Sequence, residues 1–548
     1  MHDKNTPMTK QTGGEAIVGG LVAHGVDTVF GLPGAQIYGL FDAFQQAQLK
    51  VIGARHEQAC GYMAYGYARS TGRPGVFSVV PGPGVLNAGA ALLTAFGSNE
   101  PVLCLTGQVP TQFLGKGRGH LHEMPDQLAT LRSFVKWAER IEYPDAAPAL
   151  VSRAFQEMLS GRRGPAALEM PWDVFTQRAD VGAIKPFDLI PPPQPDSDRI
   201  ADAAALVKAS KAPMIFVGSG AIHAADEILE LAEMIDAPVV AFRSGRGIVS
   251  NAHELGLTMA AAYRLWGNTD LMIGIGTRLE LATMSRWPYR PDGLKSIRID
   301  IDASEMRRYT PDVAIVADAR AGTRELLAAV RKRGTSRTKD RRAAIREATV
   351  AAQKQIQAIQ PQMAYLDILR DVLPDDAIVT DELSQVGFAS WYGFPVYRPR
   401  TFITSGYQGT LGSGFPTALG AKVAHPDTPV VAITGDGGFM FAVQELATAV
   451  QFNISVVTLV FNNNAYGNVR RDQIERFDGR VVASDLVNPN FVKLAESFGV
   501  AAARVSSPDG FRAALEKALA HGGPYLIDIE VPTGSEASPW PFIHTAKP

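Results

Sequence analysis

The sequence predicts an α/β protein of three doubly wound domains, each built on a parallel sheet. Short β-branched apolar runs alternate with longer helix-like stretches along most of the 548 residues, the pattern of strands joined by crossover helices. The pattern restarts twice, after the proline-rich IPPPQPD at 190–196 and after the polar RKRGTSRTKDRR at 331–342. Finally, glycine- and asparagine-rich motifs terminate apolar runs, where a parallel sheet places its ligand sites.

In the first third, strands are expected at 51–54, 75–80 and 101–106, with a helix over 88–96. The prolines of 190–196 exclude a strand or helix interior and mark a linker. PMIFVGSG (213–220), APVVAF (237–242), DLMIGIG (270–276) and SIRIDID (296–302) read as strands of a second unit. The stretch 331–342 reads as a solvated connector. DAIVTDE (376–382), PVVAITGDGG (429–438) and SVVTLVFNNN (455–464) supply strands for a third. The expected domains are 1–185, 193–340 and 355–548, a division that suits a chain too long for one core. No short repeat occurs, although the first and third units share a general plan.

Composition narrows the function. The formal charge is −2 with no long charged run, which argues against nucleic acid or an anionic membrane as partner. The two cysteines, Cys60 and Cys104, sit among small apolar residues and read as buried packing thiols rather than disulfide or zinc ligands. The N-terminal MHDKNTPMTK lacks a signal-peptide stretch, and no run of 18 apolar residues suggests a span. A cytoplasmic small-molecule enzyme is the expectation.

The strongest chemical signal is GDGG at 435–438 followed by NNN at 462–464. Each motif ends an apolar strand, so both emerge at carboxyl-terminal strand ends. Asp436 offers a charged oxygen and Asn463, 27 positions later, a neutral one, which suits Mg²⁺ bound between protein and phosphate oxygens. Gly437 and Gly438 allow backbone N–H groups to approach a phosphate at a helix start. There is no GxxxxGK[ST] loop. Gly218 and Gly220 begin a GxG, but His223 stands where a third glycine belongs; that turn reads as structural, with a nucleotide site as the alternative. Taken alone, Glu57 in VIGARHEQACGYMAYGYAR (51–69) reads as the first carboxylate of a helix.

GDG with NN some 27 residues later resembles the motif of the thiamine-diphosphate (ThDP) enzymes of the acetolactate synthase, benzaldehyde lyase and 2-oxo acid decarboxylase superfamily, and the resemblance covers nearly the whole chain. It implies that Asp436, Asn463 and the carbonyl of Ala465 hold Mg²⁺. It makes Glu57, in RHEQ, the glutamate that activates the cofactor through N1′ of its aminopyrimidine. In GTLGSGFP (409–416), Gly409 would contact the 4′-amino group and Leu411 would bend the cofactor. Ser384 and Gln385 match a diphosphate-contacting turn. The three domains become pyrimidine-binding, central and diphosphate-binding units. Active sites are expected between the first domain of one subunit and the third of its partner, in a homodimer or homotetramer.

The resemblance implies a carboligase or lyase acting on 2-oxo acids, acyloins or aldehydes through a ylide and an enamine. GLPGAQIY (31–38), RHEQA (55–59), PGPGVLNA (81–88), LTGQV (105–109) and SPWPFI (538–543) are similar to the acetolactate synthase frame. Three positions depart from it: Ala282 replaces the arginine of FDDR, Asp472 aligns with the specificity tryptophan, and LTM (257–259) replaces the flavin-associated MHG. These departures count against acetolactate synthesis proper and against bound FAD. Around the pocket, 121–141 and 163–175 are similar to benzaldehyde lyase, with Ala35, Gln36 and His122 at the substrate positions and the His and Gln exchanged. His122 is the candidate acid/base, its ordinary pKa lying near 6.5; His120 is the alternative, and His56 an orienting neighbour of Glu57. An acetolactate synthase large subunit with altered substrate contacts is the alternative function. A CoA-ester enzyme and a non-catalytic cofactor-binding subunit rank below it.

Overall fold

In a computed structural model, residues 8–183, 185–335 and 340–545 are described. A short strand β1 (Thr9–Thr12) pairs antiparallel with β8 (Arg178–Val181). Between them lies the first sheet: β2 (Thr28–Gly31), β3 (Lys50–Gly53), β4 (Gly75–Val79), β5 (Val102–Gln108), β6 (Trp137–Arg140) and β7 (Ala166–Pro171). All its pairings are parallel, in the order β3-β2-β4-β5-β7-β6. The central sheet comprises β9 (Pro213–Val217), β10 (Val239–Val240), β11 (Gly256–Leu257), β12 (Leu271–Ile275), β13 (Lys295–Asp300) and β14 (Val313–Val316). Its order is β11-β10-β9-β12-β13-β14. The third holds β15 (Ile378–Asp381), β16 (Phe402–Ile403), β17 (Val430–Gly435), β18 (Val457–Asn462), β19 (Ala501–Val505) and β20 (Tyr525–Glu530), ordered β16-β15-β17-β18-β20-β19.

Counted within each domain, the first and third sheets have one order, 2-1-3-4-6-5, and the central sheet another, 3-2-1-4-5-6. Helices cover both faces, so inner strands such as β5, β9 and β12 are buried at every residue, as continuous apolar runs require. The expected three-domain parallel architecture is what the chain adopts. Cys60 and Cys104 are free and fully buried. Among the described residues, no helix is long and apolar enough to cross a membrane.

One expectation needs correction. Residues 331–342 are not a connector throughout: helix Ala319–Arg333 runs into the stretch and helix Arg341–Ile356 begins inside it. Arg331, Lys332 and Arg333 occupy the last turn, where positive charge opposes the helix macrodipole. Arg341 is buried, donating to the Pro213 carbonyl at 2.9 Å, and Arg342 pairs with Asp236 and Glu254. Residues 336–339 lie outside the described set. At its described ends, the segment's polarity reflects helix termini and ion pairs.

The first and third domains of one chain dock through helix Glu57–Thr71 against helix Gly414–Ala424. A Cβ on Gly66 would stand 2.0 Å from the Thr417 carbonyl oxygen, and one on Gly420 1.9 Å from that of Met63. Only glycine permits this approach, and one apolar cluster continues across it, from Phe30, Tyr62 and Phe77 to Phe415, Val430 and Leu526.

Candidate active site

The third domain gathers its motif residues at the carboxyl ends of β17 and β18. These strands pair in parallel with Gly435 opposite Phe461, so the residues that follow, Asp436 and Asn463, leave the sheet side by side. The 27-residue spacing is thus the length of one crossover, including helices Asp436–Phe439 and Glu445–Gln451. Asp436 is buried, and its carboxylate accepts from Asn488 Nδ2 at 2.7 Å. Burial raises its pKa, while backbone N–H groups of Gly437, Ala465 and Asn464, with Asn488, oppose the rise.

Asn463 donates through Nδ2 to Glu536 Oε2 at 2.7 Å, and its Oδ1 accepts from the Ala465 N–H at 3.2 Å. Glu536 therefore fixes which way the amide faces. Tyr466 N–H bonds the Ser484 carbonyl and Leu486 N–H the Asn464 carbonyl, with Ala465 opposite Asp485 as the non-bonded pair. By strand alternation the Ala465 N–H and carbonyl point away from residues 484–486, toward Asn463 and Asp436.

A carboxylate, an amide oxygen and a carbonyl form an all-oxygen set that fits a hard divalent cation better than zinc. Among the described residues, no cluster of three His, Cys, Asp or Glu side chains has metal-binding form. Ser384 caps helix Gln385–Gly393, accepting from Gly387 N–H at 3.0 Å. Gln385 Oε1 accepts from Arg471 at 2.8 Å, while Gln385 Nε2 is buried with no protein partner. That unspent donor lies 3.6 Å from where a Gly467 Cβ would sit, and the same Cβ would be 2.6 Å from Asn463 Nδ2. A buried N–H donor left without a protein partner in the neighbourhood of Asn463 is a group that a metal-bound diphosphate could satisfy.

Gly409 adopts φ +60°, a left-handed conformation suited to glycine. Leu411 packs against Gly438, where a Cβ would lie 3.6 Å from Leu411 Cδ2. Both belong to a loop clamped by a residue that the sequence reading missed. Glu382, fully buried, accepts the N–H groups of Gly412 (2.7 Å) and Gly414 (3.1 Å) and the Thr434 hydroxyl (3.1 Å). Burial pushes its pKa up to about 7.

The first domain gathers a second group. Glu57 is the first residue of helix Glu57–Thr71, after the His56 cap, whose Nδ1 accepts from Gln58 N–H. Its Oε2 accepts from Asn87 Nδ2 at 3.0 Å. Gln36 and His122 form a pair, each at positive φ, with Gln36 Oε1 2.9 Å from His122 Nδ1. Gln36 Nε2 donates to the Leu121 carbonyl at 2.6 Å, which orients the amide. Oε1 can only accept, so His122 Nδ1 carries the proton and Nε2 presents its lone pair. Burial lowers the pKa of His122. His120 Nδ1 is 3.4 Å from Gln36 Nε2, a longer approach to the same glutamine.

Gly82 and Gly84 lie between the two features. A Cβ on Gly82 would meet the His122 carbonyl at 2.5 Å, and one on Gly84 would stand 3.6 Å from Glu57 Cγ. Gln127 holds this loop, accepting from Gly82 N–H and donating to the Gly107 carbonyl and Glu169. Thus the Gly82–Gly84 turn touches both Glu57 and the backbone of His122, the partner of Gln36. Within one chain, no hydrogen bond among the described residues joins any of the three to Asp436 or Asn463. Asp472 stands apart on helix Gly467–Arg476, 3.6 Å from Arg476 one turn on.

The GxG turn of the central domain has a packing explanation. Cβ atoms on Gly218 and Gly220 would lie 2.4 and 3.0 Å from the Gly276 backbone, and His223 pairs with Asp318 at 2.7 Å. A cleft of about 490 Å³ opens beside it toward the first domain, lined in part by Arg162, Arg278 and Asp300.

Three family models match, all of thiamine pyrophosphate enzymes: the N-terminal TPP-binding domain over residues 11–130, the central domain over 200–326 and the C-terminal TPP-binding domain over 383–529. The chain is 34% identical to a probable acetolactate synthase large subunit of Methanocaldococcus jannaschii, covering 95% of this chain and 92% of that protein. It is 32% identical to a probable 2-ketoarginine decarboxylase of Pseudomonas aeruginosa, with coverage of 95% and 94%. To the acetolactate synthase isozyme 1 large subunit of Escherichia coli it is 30% identical, with 98% of each chain covered. With its motifs, its three sheets and these similarities, the chain belongs to the thiamine pyrophosphate enzymes and is a thiamine-diphosphate-dependent enzyme of carbon–carbon bond chemistry.

Proposed function

We propose that the protein is a ThDP- and Mg²⁺-dependent carboligase or lyase acting on a 2-oxo acid, acyloin or aldehyde. The observation that carries this reading is the division of groups between two domains: Asp436, Asn463 and Ala465 in the third, and Glu57, Gln36 and His122 in the first. Mg²⁺ would be held by the Asp436 carboxylate, the Asn463 amide oxygen and the Ala465 carbonyl. Gly437, Gly438, Ser384 and Gln385 would receive the diphosphate. Bound there, the cofactor supplies a nucleophilic thiazolium carbon that adds to a carbonyl.

The chain's own residues do the rest. Glu57 holds a proton at N1′ of the aminopyrimidine, and Asn87 keeps its carboxylate in place. Gly409 and Leu411 set the ring's position. His122, with its lone pair on Nε2 and its pKa lowered, accepts a proton from substrate oxygen and returns it; Gln36 holds the tautomer. The absence of an intrachain bridge between the two groups supports sites shared by two subunits. The relatives' names favour a 2-oxo acid as donor, with acetolactate synthesis as one form of the reaction.

Asp472 favours a second reading of the acceptor end. An acid whose one ion pair among the described residues is with its own helix neighbour, Arg476, suits a 2-oxo acid with a cationic tail, such as the 2-ketoarginine for which the Pseudomonas relative is named. Incubation with ThDP, Mg²⁺ and pyruvate, benzoylformate, benzoin or 2-ketoarginine tests these readings. Turnover of at least one, dependent on both additives, is expected; acetolactate from pyruvate selects the synthase, benzoin cleavage the lyase, and decarboxylation of 2-ketoarginine the second reading. No turnover of any of the four contradicts the proposal.

A further inference from the structure

Helix Glu445–Gln451 lies in an apolar stretch, FAVQELATAV, yet carries Glu445, Thr448 and Gln451 at intervals of three. This spacing puts them on one face, and all three bond a single target in the other domain, the turn joining β3 to helix Glu57–Thr71. Glu445 Oε1 and Oε2 accept the Arg55 N–H at 3.1 and 3.2 Å, and the nearby His56 N–H helps hold down the pKa of the carboxylate. Thr448 donates to Glu445 Oε2 at 2.6 Å and lies 3.3 Å from the Gly53 carbonyl. Gln451 Oε1 accepts from the Arg55 guanidinium at 2.8 Å.

Glu445 is fully buried, and a buried carboxylate is costly unless its oxygens are satisfied. Here they are, by N–H groups that precede the helix and have no partner within it. His56 Nδ1 satisfies the Gln58 N–H from inside the turn. The backbone on the N-terminal side of Glu57 is therefore held from across a domain boundary, while the Glu57 side chain remains directed to Asn87.

We propose that Glu445 is a positioning residue for Glu57: by gripping the Arg55 and His56 N–H groups, it sets where the Glu57 carboxylate meets the aminopyrimidine. The inference rests on the role proposed for Glu57. A displacement of about 1 Å at such a group lowers turnover on the order of 100-fold, whereas cofactor affinity, set in the third domain, is spared.

The test compares wild type with Glu445→Gln and the milder Thr448→Val. Amide hydrogen exchange is measured on the protein without cofactor, ThDP·Mg²⁺ affinity by intrinsic fluorescence, and kcat and KM at saturating cofactor. In both variants the Arg55 and His56 amides are expected to exchange faster. For Glu445→Gln, kcat falls about 10- to 100-fold with little change in KM or ThDP affinity; Thr448→Val shows a smaller loss of the same kind. Faster exchange with unchanged kcat overturns the proposal. So does unchanged exchange, or a kcat loss matched by lost cofactor affinity and lowered Tm in both variants. A wild type that binds no ThDP overturns the reading of Glu57 as well. A wild type that binds it, with variants that fail these expectations, overturns the positioning role alone.

Discussion

The first and third sheets share one strand order but present opposite chemistry at their loops. The third offers Asp436, Asn463 and the Ala465 carbonyl, oxygens that suit a cation, beside the unspent Gln385 donor. The first offers Glu57 and the Gln36–His122 pair, groups that hold or move protons. The central sheet, with a different order, contributes none of the residues singled out for catalysis or metal binding. On the proposed reading, one scaffold, used twice, separates holding the cofactor from acting on it. Substitutions in the two domains should therefore fail in different ways.

The largest effect is expected on the proton-handling side. Glu57→Gln lowers kcat by roughly 10²- to 10⁴-fold while ThDP·Mg²⁺ binding by fluorescence titration persists; loss of binding would erase the contrast. On the holding side, Asp436→Ala weakens ThDP·Mg²⁺ affinity by about 100-fold, and excess Mg²⁺ restores part of the activity. His122→Asn lowers kcat by about 10- to 100-fold, less than a full acid–base contribution because Gln36 remains. Burial lowers the His122 pKa, and a base must be unprotonated, so wild-type kcat/KM should fall only as the pH drops below 6.5. In His122→Asn that limb flattens; if His120→Asn flattens it instead, the assignment moves two residues.

The smallest effect concerns stability. Glu382 rises from 4.5 to about 7 on folding, so the folded chain keeps a proton that the unfolded chain releases. Its contribution is full below pH 4.5 and is lost as the pH rises through 7. Glu382→Gln removes this dependence, so the Tm of the variant should gain on wild type by about 2–4 °C between pH 5.5 and 8. A constant difference would show that the carboxyl does not titrate there.

Much of this arrangement was legible in the sequence because it ends strong apolar runs. β17 and β18 announce themselves, and the motifs at their ends follow. Strands of two residues, such as β11 and β16, carry too little pattern to separate them from loops. Glu382, Glu445 and Glu536 were missed for another reason: each is an acid whose partners come from distant segments. A signal did exist in the polar stripe Glu445, Thr448 and Gln451 on an otherwise apolar helix, since the buried Glu445 and Thr448 of that stripe must have polar partners. The pairing of Gln36 with His122 depends on two left-handed residues, Gln36 and His122 themselves, a conformation that no local pattern around either residue predicts.

The central claim is that holding and acting residues at one site come from different chains. Co-expressing Glu57→Gln and Asp436→Ala chains, each nearly inactive alone, tests it directly. In a two-fold dimer with shared sites, a mixed pair has one site with an intact Glu57 from one chain and an intact Asp436 from the other. Random pairing should then restore up to about a quarter of wild-type activity. If each chain builds its own site, every site carries a lesion, and the mixture stays as inactive as its parents.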